Sequence, residues 1–179
     1  MKKKYVMSRG LAFGEEKDMG KLRSYAKQGW VLDRFAPFGF LLKKGEEQDL
    51  SFAADYNKNP DDEYFAYFEQ AGWTHVCSGV DYIHVFSAAE GTKPIYSDHE
   101  TTLDKYEVEK KNTGRVALPS LIATILLFSL GNSGSMPSIM GEVLIWTGFL
   151  TMIVFIFSGM PYVGYQYKLS KLKKDEENE

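Results

Sequence analysis

Cysteine is almost absent. Cys77 is the single one in 179 residues, so no disulfide can close within the chain, which suits a reducing cytosol. Excess positive charge is missing too: the formal net charge is −3, and a nucleic-acid-binding surface therefore has no electrostatic support. No nucleic acid is expected among the partners. Gly10, Gly14 and Gly20 lack phosphate-loop spacing, and neither a Ser-His-Asp order nor a metalloprotease motif occurs. No cofactor is implied, and the expectation is a protein that is not an enzyme. Lys2, Lys3 and Lys4 make a basic start, but Tyr5-Val6-Met7 is too short an apolar run for a signal peptide. The N-terminal region is accordingly expected to stay in the cytoplasm.

The sharpest local absence is of charge. Residues 116–165 contain no Lys or Arg and one acid, Glu142. A helix needs about 20 residues to cross the hydrocarbon core. Two stretches meet that length, about 116–136 and 143–163, and together they read as a transmembrane hairpin. A buried hairpin of a soluble core would alternate apolar and polar faces, and Thr147, Thr151 and Ser158 make no face wide enough to be wetted. Lys105, Lys110, Lys111 and Arg115 precede the first span, and Lys168, Lys171, Lys173 and Lys174 follow the second. The connecting loop has no cation. The positive-inside rule then predicts a multi-pass protein of the cell membrane with both termini in the cytoplasm. Neither span has an ionisable residue near its midpoint, which argues against an ion or proton pathway made by this chain alone.

What precedes the membrane repeats itself. Ser24-Tyr25-Ala26-Lys27-Gln28-Gly29-Trp30 and Tyr67-Phe68-Glu69-Gln70-Ala71-Gly72-Trp73 each read as a helix stopped by glycine and followed by a Trp-led strand. Helices are expected over about 15–28, with Met19, Leu22 and Ala26 on one face, and after Asn59-Pro60, with Asn59 as N-cap and Pro60 in the first turn. Strands are expected near 4–11, 30–35, 38–43, 50–56, 73–78 and 82–87, with hairpin turns at Ala36-Pro37 and Ser78-Gly79-Val80-Asp81. The fold class is therefore α+β: a duplicated βαββ antiparallel-sheet cytoplasmic domain over 1–94, with repeats of about 1–45 and 46–90, and then the transmembrane hairpin. Between them, 95–115 is expected to be a polar connector helix. It would start at a capping box, Ser97 with Glu100, and break at Thr113-Gly114. Residues 166–179 are expected to form a charged cytoplasmic tail.

These residues resemble a bacterial membrane-protein family defined only as a domain of unknown function, often encoded beside PadR-type transcriptional regulators. The resemblance rests on Gly29-Trp30-Val31-Leu32, Tyr56, Tyr64-Phe65 with Ala71-Gly72-Trp73, and Ile95-Tyr96-Ser97-Asp98. The family's Tyr-Phe-Arg after the second hairpin is replaced by His84-Val85-Phe86. The resemblance implies a cytoplasmic domain joined to transmembrane helices and carries no activity.

Two constellations are candidates for function. His75, Cys77 and His84 would share a face if His75 stood opposite His84, giving three N and S donors for zinc; the alternative is a half-buried strand pair, and no metal is the expectation. Trp30, Phe38, Phe40, Trp73, Tyr82 and Phe86 alternate along the strands and either line a groove for a protein partner or small apolar ligand, or complete the core. The leading reading is a non-enzymatic, membrane-anchored sensor, adaptor or regulatory protein, whose partners are the lipid bilayer and a protein in the membrane or cytoplasm. The alternative is an envelope-stress or antimicrobial-resistance accessory protein whose hairpin engages a transporter or toxin.

Overall fold

The computed structural model describes residues 2–80, 82–96, 99–134 and 137–176. Its elements run β1 (Lys3–Met7), α1 (Leu11–Ala26), β2 (Trp30–Ala36), β3 (Gly39–Lys44), β4 (Leu50–Tyr56), α2 (Asp62–Gln70), β5 (Thr74–Gly79), β6 (Ile83–Ala89), α3 (His99–Gly131) and α4 (Ser138–Glu176). The chain divides into two compact units, Met1–Ser97 and Asp98–Glu179.

In the first unit the order β-α-β-β occurs twice, and all strand pairs are antiparallel. One sheet runs β1-β3-β2 and the other β4-β6-β5, so each half places its third strand in the centre. The α+β class stands. Both helices end at a glycine with positive φ, Gly29 (φ 71) and Gly72 (φ 83), a conformation that lacks a penalty only without Cβ. Strand β1 stops at Met7 rather than running to residue 11. Asp18 of α1, almost fully buried, accepts the Ser8 hydroxyl and the Arg9 amide and pulls the chain off the sheet. Helix α2 starts later than expected: Asp61, not Asn59, is its N-cap, accepting the Tyr64 amide at 2.9 Å, so Pro60 lies ahead of the helix. Asp81 of the second turn and Ser97 of the expected capping box lie outside the described residues.

One face of the first sheet (Val6, Leu32, Phe40, Leu42), the apolar stripe of α1 (Met19, Leu22, Ala26) and the back of the second sheet (Phe52, Ala54, Cys77, Val85) close a single core. The front of the second sheet, with Phe86 and Ala88, is covered by Phe68, Tyr64 and Phe65 of α2 together with Trp73 and Ile95. The other face of the first sheet stays open at Tyr5 and Met7, 49% and 65% exposed.

In the second unit, α3 and α4 form an antiparallel hairpin. The separate connector over 95–115 is corrected: α3 runs unbroken through Thr113, Gly114 and Pro119. A helical glycine costs only about 1 kcal/mol, and Gly114 recovers this because the Tyr162 ring of α4 packs where its Cβ would be. Likewise α4 continues through the supposed tail to Glu176; residues 177–179 lie outside the described set, as do Ser135 and Met136 at the end of the first span. Ala117, Thr124 and Gly131, at seven-residue spacing, let the helices approach closely. Thr124 donates or accepts a 3.0 Å hydrogen bond with Thr151, and Gly148 sits under the Phe128 ring. Both helices are long and apolar enough to cross a membrane.

Candidate functional site

The two sheets can be laid over each other by their ladders. Phe35 pairs with Phe40 as Ser78 pairs with His84, and Val6 with Phe40 as Asp55 with His84. Even the bulges correspond, falling between Leu32 and Arg34 in β2 and between His75 and Cys77 in β5. Where the first half packs Val6, Leu32, Phe35 and Phe40, the second half therefore carries Asp55, His75, Ser78 and His84. The corresponding positions are apolar in the first sheet and polar in the second. That layer beneath α2 is the candidate site.

Every member has a partner. Tyr64 of α2 donates to Asp55 at 2.7 Å, and Tyr96 donates to the other carboxylate oxygen. Burial first, then the hydrogen bond, holds the Tyr64 hydroxyl above the usual phenol range; burial and the Asp55 charge do the same for Tyr96. Beside it runs a chain of imidazoles. His84 Nε2 lies 2.9 Å from the Asn57 carbonyl, which only accepts, so that nitrogen carries a proton. In the neutral ring Nδ1 then accepts from Ser78 Oγ at 2.8 Å, and Ser78 accepts from His75 Nε2 at 3.0 Å. His84 is buried and His75 half-buried, with ring centroids 5.8 Å apart and Phe65 against both. Burial first, then the repulsion two protonated imidazoles would feel beside each other, lowers the His75 pKa. Tyr56 adds a 3.2 Å hydrogen bond to Glu15 on the core side.

The chemistry available is proton relay and hydrogen bonding. Ser78 and His84 have the connectivity of a nucleophile and its base, with a carbonyl behind the base. Ser78 also accepts from His75, which takes one of the two lone pairs of its oxygen. The layer is a satisfied network, and such networks fix one packing arrangement.

The expected His75, Cys77, His84 triplet is corrected. The bulge shifts the register, so His75 faces Phe86 rather than His84, and Cys77 turns to the opposite side of the sheet, into the shared core. Burial there pushes its thiol up to about 11, the reverse of what a nucleophile or metal ligand needs. Among the described residues no three of His, Cys, Asp and Glu gather as a metal set.

Nor are the six aromatic residues brought together. Phe40 is in the shared core, and Phe86 and Trp73 lie under α2, all 3% exposed or less. Trp73 donates to the Lys93 carbonyl at 3.0 Å. Trp30 is half-buried between the ammonium groups of Lys4 and Lys44. Tyr82 stacks on Tyr56, and Phe38, 75% exposed, sits at a hairpin tip with φ 57. Successive strand residues point to opposite faces, and two sheets with two covered faces scatter one alternating pattern over three environments. Sequence reading missed Asp55, Tyr64, Ser78 and Tyr96. The available signal was Asp55 closing an otherwise apolar strand.

An α+β unit of two like-ordered three-stranded sheets, joined to a hairpin of two membrane-length helices, defines the class of protein. Within that class the chain belongs to the family described as Protein of unknown function (DUF2812), whose model matches residues 14–118. Regulatory protein E2 of human papillomavirus 66 is 33% identical over 94 residues, covering 46% of this chain and 25% of that protein. The chain thus spans about a quarter of the length of that curated relative. No solved structure matches significantly.

Proposed function

We propose that this is a non-enzymatic membrane-anchored adaptor or sensor. In this reading α3 and α4 cross the cell membrane, both termini are cytoplasmic, and the first unit carries a protein partner. One observation supports it above others: only 22% and 11% of the two most apolar stretches are covered by protein. Leu150 and Phe157 are each 65% exposed, and Trp146 70%. A soluble core helix would bury these groups, at roughly 1.5–3 kcal/mol per large side chain, so their remaining surface is matched to lipid. The cations at the outer ends of the hairpin and none in its loop favour the stated orientation.

The partner's place is the open face of the first sheet. Residues 1–44 hold eleven Lys and Arg against four Asp and Glu, and residues 45–97 two against ten. Tyr5, Met7 and the nearby Phe38 tip supply apolar area beside Lys3 and Arg34, which fits an acidic protein surface. A small apolar ligand has less support, since Phe40, Trp73 and Phe86 are packed away.

The test is carried out on the full chain in native membranes. Alkaline carbonate should leave it in the pellet. A cytoplasm-only reporter should work at either terminus and fail in the α3–α4 loop. A photocrosslinker replacing Tyr5 should capture a defined protein, with capture abolished by high salt or by Lys3→Glu with Arg34→Glu, while one at Tyr67 on α2 should not. Release by carbonate refutes the anchor; equal capture at both positions refutes the docking face.

A further inference from the structure

At the point where α3 passes from charged to apolar sequence, the hairpin carries a cleft of about 470 Å³. Its wall on α3 is Lys110, Lys111, Gly114, Arg115 and Leu118, and on α4 it is Tyr162. Lys111, Arg115 and Leu118 lie three, four or seven residues apart, with Lys110 and Gly114 four apart beside them, so they form one stripe. The missing side chain at Gly114 lets the Tyr162 ring close against α3 and form the α4 wall: a Cβ there would come within 3.0 Å of the ring.

The cleft is chemically two-ended. Lys110, Lys111 and Arg115 bring three cations to one end and make no ion pair among the described residues. Glu107, the acid on the same wall, is engaged by Lys173 at 2.8 Å. That partnership leaves the three cations in excess. The other end is Leu118 and the Tyr162 ring, where the apolar run begins at Val116. A group that fits is an anion with an apolar body attached. Arg presents a planar fork suited to phosphate oxygens, and Lys supplies point charge.

We infer that this cleft binds the phosphate of an anionic phospholipid, with Lys110, Lys111 and Arg115 on the headgroup and Leu118 and Tyr162 against the start of the acyl chains. This rests on the membrane-spanning reading and deepens it. Scattered juxtamembrane cations attract anionic lipid only diffusely. A cleft walled by both helices binds one molecule, and its occupancy would couple the lipid composition to the stretch of α3 that leads out of the bilayer.

The experiment uses the full chain in phosphatidylcholine vesicles with or without one-fifth phosphatidylglycerol (roughly that fraction keeps the surface potential moderate). Native mass spectrometry after detergent release reads the retained lipid, and carbonate washing independently reads insertion. The expected result is one phosphatidylglycerol kept per chain in preference to phosphatidylcholine. Retention should fall about thirtyfold in Lys111→Gln with Arg115→Gln, with insertion unchanged. Lys111→Arg should keep it. A chain that stays inserted but holds both lipids equally, or whose double Gln variant retains phosphatidylglycerol undiminished, overturns the headgroup site alone. Inorganic phosphate that displaces the lipid at comparable concentration overturns the lipid as the source of the phosphate. A chain washed off by carbonate refutes the spanning helices and the site with them.

Discussion

Trp30 and Trp73 follow equivalent glycines but do unequal work. Trp73 is 3% exposed beneath α2, and its indole N–H is satisfied by the Lys93 carbonyl. Trp30 keeps part of its surface in water between Lys4 and Lys44. Trp73→Ala should therefore cost about 3–5 kcal/mol, the range for emptying an aromatic core position. Trp30→Ala should cost roughly 1–2 kcal/mol, from partial burial and two exposed cation–π contacts. Thermal melts of the full chain in mild detergent, followed by near-ultraviolet circular dichroism, check this; equal shifts would refute the difference in burial. His75 sets a pH dependence. Its folded pKa is lowered, by burial and then by His84, below the roughly 6.5 of the unfolded chain. On acidification the unfolded state binds the proton first. This contribution is fully present above about pH 6.5 and is lost as pH falls through the folded pKa. His75→Gln should flatten stability between neutral and mildly acidic pH, and an unchanged slope would remove His75 as its source.

Among the elements, the helix ends and the long helices separate most clearly what local pattern can decide. Gly29 and Gly72 both have positive φ, which an L side chain tolerates at a cost of about 1–2 kcal/mol. Only Gly29 is also crowded: a Cβ there would lie 2.8 Å from the Gly45 carbonyl oxygen, whereas at Gly72 the nearest atom is a Thr92 methyl at 3.4 Å. Gly29→Ala should thus destabilise more than Gly72→Ala, and denaturant midpoints of the two variants measure it. An equal loss would mean that the backbone conformation alone carries the cost. Helix α3 shows the limit of local signals. Thr113-Gly114 reads as a break, yet the Tyr162 ring of α4 packs against Gly114 and α3 runs through it.

For the whole molecule, the prediction concerns separability. The first unit closes its shared core from its own elements, with α1 between both sheets, and the second is a two-helix hairpin. Residues 1–97 expressed alone should therefore be soluble and unfold in one cooperative transition. A molten product, with far-ultraviolet but no near-ultraviolet signal, would show that the hairpin is needed to complete the fold. The basic half and acidic half also give this unit a strong charge separation, so its self-association should rise as salt is lowered. Sedimentation across ionic strength tests that; a constant mass would show that the halves do not meet between copies.

By itself, the sequence determined the membrane-length helices, the cations at their outer ends, the α+β class and the two glycine-stopped helices. Each of these depends on residues close together in the chain: a run of apolar side chains, a cap, an alternation. Only the tertiary structure decided which face each strand turns inward. Single bulges at Asp33 and Val76 reverse the alternation, sending Cys77 to the core and leaving His75 beside His84. The polar layer was hidden for the same reason. Asp55, Tyr64, Ser78, His84 and Tyr96 are separated by up to 41 residues along the chain, and they meet only because α2 and the segment after β6 cover one face of one sheet. Local physics sets the periodicity of an element; its register and its neighbours are set by the core it helps to close.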